Sequence, residues 1–219
     1  MDNAYINKGL RIISDDGITR FFKKTLGFFA YNTFHMTTLI IFELDLEKDD
    51  KKMEPKIKLS FRMASKEDID TLDKKRHNMS QKMKKYSRER LEKGDKCVLA
   101  LYNKEVIGYS WAMKGSMELS QFNHIPIPEK KVYLYNAFVV NEFRGNRVNS
   151  AMRRYLTDNI LKNEGKTTII GTIAKNNIPS LKSAKRMGPK KVGKLIQLRI
   201  LGLRYEYISK KDLQHLQTP

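Results

Sequence analysis

Alternating apolar and polar positions predict a series of β-strands in the chain from residue 58 onward. These strand-like runs are 58–65, 97–103, 105–113, 132–140, 167–174, 192–201 and 203–208. Apolar residues recur at spacings of three and four in a basic segment from Ser65 to about residue 91, and again in 148–161 and near 178–187, which predicts helices. The order strand, helix, three strands, helix, strand, helix, strand predicts an α+β fold with a mixed, mostly antiparallel central sheet flanked by helices.

The first part of the chain follows a different pattern. Residues 18–29 place five apolar side chains on one helical face, namely Ile18, Phe21, Phe22, Leu26 and Phe29. This helix could pack against the main core, or it could lie on a membrane surface. Residues 37–46 are strand-like, and the charged run 47–56 is typical of a linker. We therefore expect an N-terminal amphipathic extension with linker in 1–56 and the main domain in 57–219.

Composition excludes several classes of protein. Of 219 residues 40% are hydrophobic, which is enough for a sizeable core. The single cysteine, Cys97, excludes a disulfide framework, and the four histidines are too dispersed for a compact metal motif. No apolar run approaches the roughly 20 residues of a membrane-spanning helix, and no signal peptide is evident. These features predict a cytoplasmic protein, which leaves open a peripheral position at a membrane.

Positive charge is concentrated after the extension. Residues 1–60 hold 10 Lys and Arg against 9 Asp and Glu, whereas residues 61–219 hold 33 against 15. Between Arg144 and Arg204 there are 15 basic residues and two acidic ones. Such a field attracts phosphates, nucleic acid or an anionic membrane surface, although a merely solvated face is equally compatible with it.

The segment 136–156 is the most informative part of the sequence, because it runs from a strand through a short turn into a helix. The turn contains Arg144, Gly145 and Arg147. Backbone N–H groups at a helix start lack intrahelical partners, and the helix dipole adds partial positive charge there. This turn is therefore a candidate diphosphate site, although an ordinary strand–turn–helix connection would show the same pattern.

These residues resemble the GNAT family of acyl-CoA-dependent N-acyltransferases, whose loop reads Arg/Gln-x-x-Gly-x-Gly/Ala after the fourth core strand. Arg144 fits the first position, while Arg147 and Asn149 stand where the family usually has glycine. Three other segments are similar to family motifs: the strand and helix start at 61–68, the hairpin ending in Gly108-Tyr109, and the run 177–188 with its Asn-x-x-Ser. The resemblance covers about 58–208.

The resemblance implies transfer of an acetyl or other acyl group from acyl-CoA, as co-substrate, to a primary amine by direct attack, without a metal. It implies that backbone groups of Ala137, Phe138 and Val139 pair with the pantetheine and that one N–H there stabilises the oxyanion. It places the diphosphate at the loop residues, which are Arg144, Gly145, Asn146, Arg147, Val148, Asn149 and Ser150. It also implies that Asn177 and Ser180 contact the pantetheine or its neighbouring strand.

The sequence leaves the proton-transfer residues unassigned. Glu118, His124 and Glu142 are candidate bases by residue type. The family's frequent acid, a tyrosine seven residues after the motif asparagine, is replaced by Ala184, which leaves Ser183, Tyr205, Tyr207 or water as alternatives. We expect Cys97 to be a buried residue rather than a nucleophile.

The acceptor is an amine whose carrier the sequence does not identify: a small molecule, a surface-sugar precursor or a protein. A homodimer and an anionic membrane partner are left open. The alternative to acyl transfer is a basic nucleic-acid, ribosome or membrane-binding module. RNA binding is less favoured, because the lysines are dispersed and not clustered with aromatic residues.

Overall fold

A computed structural model of the protein describes residues 34–47, 54–118, 124–201 and 203–218. The amphipathic helix expected at 18–29 lies outside these residues. The strands are β1 Phe34–Asp45, β2 Ser60–Met63, β3 Lys96–Tyr102, β4 Glu105–Lys114, β5 Ser116–Glu118, β6 His124–Pro126, β7 Lys131–Val139, β8 Thr168–Ala174, β9 Lys190–Ile200 and β10 Leu203–Ile208. The α-helices are α1 Lys66–Thr71, α2 Lys74–His77, α3 Gln81–Glu92, α4 Val148–Leu156, α5 Ile178–Met187 and α6 Lys210–Gln217.

The described strands form an eight-stranded sheet in the order β10-β9-β1-β8-β7-β4-β3-β2, and β5 pairs with β6 beside it. Strands β7 and β8 are parallel, with Val132 opposite Ile169, while the other neighbouring pairs are antiparallel. The mixed, mostly antiparallel sheet is thereby confirmed. The parallel pair follows from the connection through α4, because parallel neighbours require a crossover.

Strand β1 lies inside this sheet rather than beside it. It pairs along one edge with β8, where Leu44 is opposite Ile169, and along the other with β9, where Thr38 is opposite Ile196. Its Ile41 is fully buried. A boundary at residue 57 therefore separates β1 from the sheet to which it contributes, and the linker-like composition of 47–56 marks a connection within that sheet.

Helices cover both faces of the sheet. On one face, α4 buries Val148, Met152 and Leu156 against alternate residues of the strands, such as Val132 and Ile169. On the other face, α1 and α3 cover a core around Tyr109 and Trp111, and α6 covers a core around Ile41, Tyr133 and Leu195. The two-residue period of the strands sends successive side chains to these opposite cores.

Local signals explain several element boundaries. Ser65 caps α1 and forms a reciprocal capping box with Asp68, as the sequence predicts. The β3–β4 hairpin turns at Asn103 and Lys104, which both have positive φ angles of 49° and 69°. The segment 114–130, which lies outside the strand-like runs of the sequence, contains β5 and β6, because Met117 and Ile125 anchor it in the α6-side core.

Candidate functional site

A gap opens in the sheet where its two parallel strands part. Pairing between β7 and β8 runs only from Lys131–Thr168 to Leu134–Gly171. Strand β7 continues to Val139 and β8 to Ala174, and each stays anchored on its far side, with Gly108 opposite Val139 and Leu39 opposite Ala174. The backbone groups of 135–139 and 172–174 that face each other are therefore not paired with each other, so the gap offers N–H and C=O groups to a ligand.

A β-bulge presents part of β7 to this gap. Trp111 lies opposite Tyr135 and Tyr109 lies opposite Phe138, so two residues of β7, Asn136 and Ala137, fall between these pairs. Asn136 has a φ of 47°. Both bulge residues are exposed. The strand is held beyond the bulge because the Phe138 ring stacks on Tyr109 with centroids 5.5 Å apart. The bulge thus exposes Ala137, one of the three residues expected to bind pantetheine.

The loop after β7 ends at an uncapped helix N-terminus. Arg147 is the N-cap of α4, with φ 61° and ψ 21° and no side-chain capping hydrogen bond. The first intrahelical bond is donated by the Ala151 amide to the Arg147 carbonyl, at 3.0 Å. The amides of Val148, Asn149 and Ser150 precede this bond, so they lack helical acceptors, and the helix dipole points at them. The side chains of Val148 and Ser150 are buried, so these two residues can offer a ligand only their backbone.

Side chains of the loop hold its shape. Arg144 Nε donates to the Val139 carbonyl at 3.1 Å, and Asn146 Nδ2 donates to the Phe143 carbonyl at 3.2 Å. Arg147 Nη1 donates to the Glu54 carbonyl at 3.4 Å. One carbonyl expected to pair with pantetheine, that of Val139, is therefore already bound to Arg144. The arginine at the glycine position adopts left-handed backbone angles, in which glycine carries the least strain.

Asn177 and Ser180 lie just beyond the end of β8, on the other side of the gap. Asn177 caps α5, and its Oδ1 accepts a hydrogen bond from the Ser180 amide at 3.2 Å. Both residues thus have a role in starting α5, independent of any ligand. Their contact with a pantetheine stays a prediction.

The candidate proton-transfer residues are not brought together. Glu142 is exposed in the 3-10 turn Asn141–Phe143, and His124 is exposed on β6, opposite Glu118 in the β5–β6 pairing. Tyr205 and Tyr207 are on β10, three strands from β8, which is about 14 Å at the usual strand spacing. None of these five residues belongs to β7 or β8.

Ser183 and Ala184 on α5, and the buried side chains of Cys97 and Tyr109, do not supply a general acid or base. Ala184 is buried in α5, and Ser183 beside it is half-buried. Burial raises the pKa of the Cys97 thiol well above its ordinary value, and Cys97 is fully buried, so the expected structural role is confirmed. Burial also raises the pKa of Tyr109 to about 12, which keeps its hydroxyl protonated near neutral pH.

Sequence reasoning missed a cavity beside the point where β7 and β8 part. Its volume is about 300 Å³. It lies between α3 and β7, and its lining residues are Ser80, Lys82, Met83, Tyr86, Arg90, Tyr135 and Asn136. Tyr135 and Asn136 directly follow Leu134, the last residue of β7 that pairs with β8. The cavity and the gap therefore meet at the bulge.

Aromatic rings and a buried guanidinium form the wall of this cavity. The Arg90 guanidinium lies 4.7 Å from the Tyr86 ring centroid and 4.2 Å from that of Tyr135. Arg90 Nε is 3.4 Å from an Asp95 carboxylate oxygen, to which the Tyr135 hydroxyl also donates at 3.1 Å. The four-residue spacing of Tyr86 and Arg90 within the predicted helical segment is the sequence signal that could have placed these two side chains on a shared face.

Tyr133 on β7 forms a side-chain hydrogen bond to β8. The Tyr133 and Tyr135 rings stack with centroids 5.6 Å apart, and the Tyr133 hydroxyl and Thr172 Oγ1 share a hydrogen bond of 2.8 Å. This bond joins β7 to β8 next to the end of their backbone pairing. It fixes the position at which the gap begins.

Comparison with solved structures identifies this architecture. A tandem GNAT protein from the clavulanic acid biosynthesis pathway superposes with a TM-score of 0.56 over 84% of this chain and 58% of its own, at 12% sequence identity. The chain has the GNAT fold. A protein from Drosophila superposes with a TM-score of 0.53 over 85% of this chain and 58% of its own, at 15% identity.

A third match is a functionally unknown conserved protein from Staphylococcus epidermidis, with a TM-score of 0.51 over 80% of this chain and 66% of its own, at 12% identity. The chain thus spans 58% to 66% of the length of these three proteins. No protein-family model and no curated protein matches the sequence. At these identities the likeness concerns the GNAT fold alone.

Two features are absent from the described part of the chain. No group of three or more His, Cys, Asp and Glu side chains is placed to hold a metal ion there. No helix in the described ranges has the length and apolar character needed to cross a membrane.

Proposed function

We propose that the protein is a CoA-dependent N-acyltransferase that moves an acetyl group from acetyl-CoA to a primary amine. The observation that carries the proposal is the parting of β7 and β8 beside the uncapped N-terminus of α4. The gap supplies backbone groups of β7 and β8 that are not paired with each other, which an extended chain of amides can use. The helix start supplies amides for an anion less than ten residues further along the same segment.

The described groups fit the two parts of CoA. The exposed backbone at Ala137 and the adjoining Phe138 can pair with the pantetheine amides, while the amides of Val148 to Ser150 can receive the diphosphate. A Cβ added at Gly145 would have no other atom within 4 Å, so there is open space beside the loop at that residue. The excess of basic residues between Arg144 and Arg204 supplies the favourable field.

In the proposed reaction, the acceptor nitrogen attacks the thioester carbonyl carbon and forms the C–N bond, the C–S bond breaks, and the leaving thiolate takes up the proton that the nitrogen loses. A backbone N–H in 137–139 stabilises the oxyanion, a contribution typically worth about 3 kcal/mol in the barrier. The remaining acceleration comes from holding amine and thioester together. The attacking amine must be neutral, and the positive surroundings of the site favour the neutral form of an amine.

The acceptor side of the reaction is the cavity between α3 and β7. None of its seven lining residues is acidic, and of its two basic residues Arg90 is paired with Asp95 while Lys82 is exposed. A polycationic amine would find no carboxylate among these lining side chains and would be repelled by Lys82. We therefore infer an acceptor whose body is aromatic or anionic, since the walls include the rings of Tyr86 and Tyr135.

Calorimetry with acetyl-CoA and CoA tests the cofactor half of the proposal. We expect both to bind the wild type, and Arg147→Glu to weaken binding at least tenfold, about 1.4 kcal/mol. Lys210→Glu makes the same charge change on α6 and is the matched control, which should bind as the wild type does. Absence of CoA binding, or equal losses in both variants, would overturn the proposal.

Release of free CoA thiol in the presence of amines tests the acceptor half. Tyrosine, which carries an aromatic ring and a carboxylate, should be a better acceptor than spermidine, a polycation. Lys82→Glu should shift this preference toward spermidine while leaving the affinity for CoA unchanged. A wild type that prefers spermidine would refute the assigned acceptor class and leave the CoA site standing.

A further inference from the structure

An exposed apolar surface lies at one end of the sheet, on strands β1, β9 and β10. Cross-strand pairing aligns Phe34 with Ile200 and Leu203 in one row, Met36 with Leu198 and Tyr205 in the next, and Thr38 with Ile196 and Tyr207 in a third. Because side chains alternate along each strand, these rows share one face of the sheet. We call this face the β10 patch.

The residues of the β10 patch are unusually exposed for large apolar side chains. The exposed fractions are Phe34 60%, Met36 57%, Ile200 37%, Leu203 62%, Tyr205 52% and Tyr207 63%. The opposite face of the same strands carries polar residues, including His35, Gln197 and Glu206. A contiguous apolar face backed by a polar one indicates a surface that another apolar element covers.

The chain carries a complementary segment directly before β1. Residues 18–29 hold the apolar stripe of Ile18, Phe21, Phe22, Leu26 and Phe29, with Arg20, Lys23 and Lys24 largely off it. As a helix these twelve residues would be about 18 Å long. The patch extends about 13 Å along β1 and about 10 Å across three strands, so one such helix matches its size.

The connection to β1 also permits this docking. Four residues, 30–33, lie between Phe29 and Phe34. Five Cα steps reach at most about 17 Å, which exceeds the roughly 10 Å between packed layers. A segment on so short a tether has an effective concentration in the millimolar range, so it outcompetes a second copy of the chain at micromolar concentration.

We propose that residues 18–29 dock as an amphipathic helix on the β10 patch of their own chain. The helix covers Tyr205 and Tyr207 and extends the layer that α4 forms on the same face of the sheet. The apolar stripe and the patch thereby bury each other, and the basic residues of the segment remain in solvent. The proposal is independent of the CoA site.

Engineered disulfides in the full-length protein test this contact. Phe21→Cys, Phe22→Cys and Leu26→Cys would each be combined with Tyr205→Cys, since the native Cys97 is fully buried and does not compete. After mild oxidation we expect at least one pair to form an intramolecular disulfide, seen as a faster monomer band on non-reducing gels and confirmed by mass spectrometry. The matched control moves the strand cysteine one residue, to Glu206→Cys on the opposite face, and should not cross-link.

Other occupants of the patch give different results, each of which overturns the proposal. Disulfide-linked dimers would show that a second copy covers the patch. Cross-linking that is equal for Tyr205→Cys and Glu206→Cys would show random collision, and no cross-link in any pair would show that the segment lies elsewhere. Flotation of the wild type with vesicles containing anionic lipid, lost in Phe22→Glu and in Tyr205→Glu, would assign both surfaces to a membrane.

Melting temperatures distinguish stable docking from a disulfide that only traps a rare conformation. Phe22→Ala and Tyr205→Ala should each lower the melting temperature, and the double variant should fall by less than the sum of the two shifts. Additive shifts would show that the two side chains do not share an interface.

Discussion

Replacing Arg147 with glycine tests whether the loop before α4 has the backbone conformation described above. Arg147 has a φ of 61° and a ψ of 21°. Holding a residue with a Cβ in this region costs roughly 1–2 kcal/mol. Glycine avoids that cost but increases the entropy of the unfolded chain, which offsets about 0.5–1 kcal/mol. The hydrogen bond from Arg147 to the Glu54 carbonyl is exposed and 3.4 Å long, so its loss changes stability little.

The informative comparison is Arg147→Gly against Arg147→Ala, because both variants lose the same guanidinium and the same hydrogen bond. We expect the glycine variant to be more stable by about 0.5–1 kcal/mol. For a chain of this size, each 1 kcal/mol shifts the melting temperature by about 2–4 °C. Urea unfolding followed by circular dichroism would give the free-energy difference directly.

The same two substitutions at position 85 are a control, for which the opposite order of stability is expected. Lys85 is exposed within α3, where alanine should be more stable than glycine by about 1 kcal/mol. If alanine were also the better residue at position 147, the left-handed conformation would be refuted. Arg147→Gly should in addition bind CoA with about the wild-type affinity, because the binding groups proposed there are backbone amides.

Three further predictions concern a buried ion pair, the carboxylate that caps α1 and the buried thiol. Lys131→Met removes the buried ammonium group that lies 2.9 Å from a carboxylate oxygen of Glu43 and leaves that carboxylate with His215 Nε2, 2.9 Å from its other oxygen, as its partner, so we expect a loss of about 3 kcal/mol in urea unfolding. The hydrogen bond from Arg62 lowers the pKa of Asp68 to about 2, so its stabilisation is complete above about pH 4 and is lost as the pH falls through about 2. The gap in melting temperature between wild type and Asp68→Asn should therefore shrink between pH 5 and pH 2, and a constant gap would contradict this assignment. Cys97 should react with an aromatic disulfide reagent only after unfolding, and rapid labelling of the native protein would contradict its burial.

The local pattern of apolar and polar residues was sufficient to predict most of the strands and helices of this protein. The two-residue period of apolar side chains identified the strands, and Ser65 with Asp68 marked the start of α1 because the capping box is a contact within four residues. The strand–turn–helix–strand order from β7 to β8 is a crossover connection, which is the connection that parallel neighbouring strands require.

Only part of the candidate site could be predicted from the sequence. The loop 144–150 was identified because backbone amides at a helix start are a local property. The cavity was not, because Arg90 and Tyr135 are 45 residues apart and meet only when α3 packs on the sheet. The left-handed conformation of Arg147 was likewise hidden, since arginine gives no local signal for positive φ.

The tertiary structure alone decided where β1 lies. Its composition shows a strand, but pairing is a contact between distant segments, and nothing in 34–45 specifies β8 and β9 as its neighbours. The point where β7 and β8 part was also decided there. Each strand is long enough to continue the pairing, but the bulge at Asn136 and Ala137 redirects β7 while the far edge of β8 stays bound to β1. Periodicity specifies which side of a strand is apolar, whereas strand order and divergence depend on which distant surfaces fit together, and that fit forms the gap.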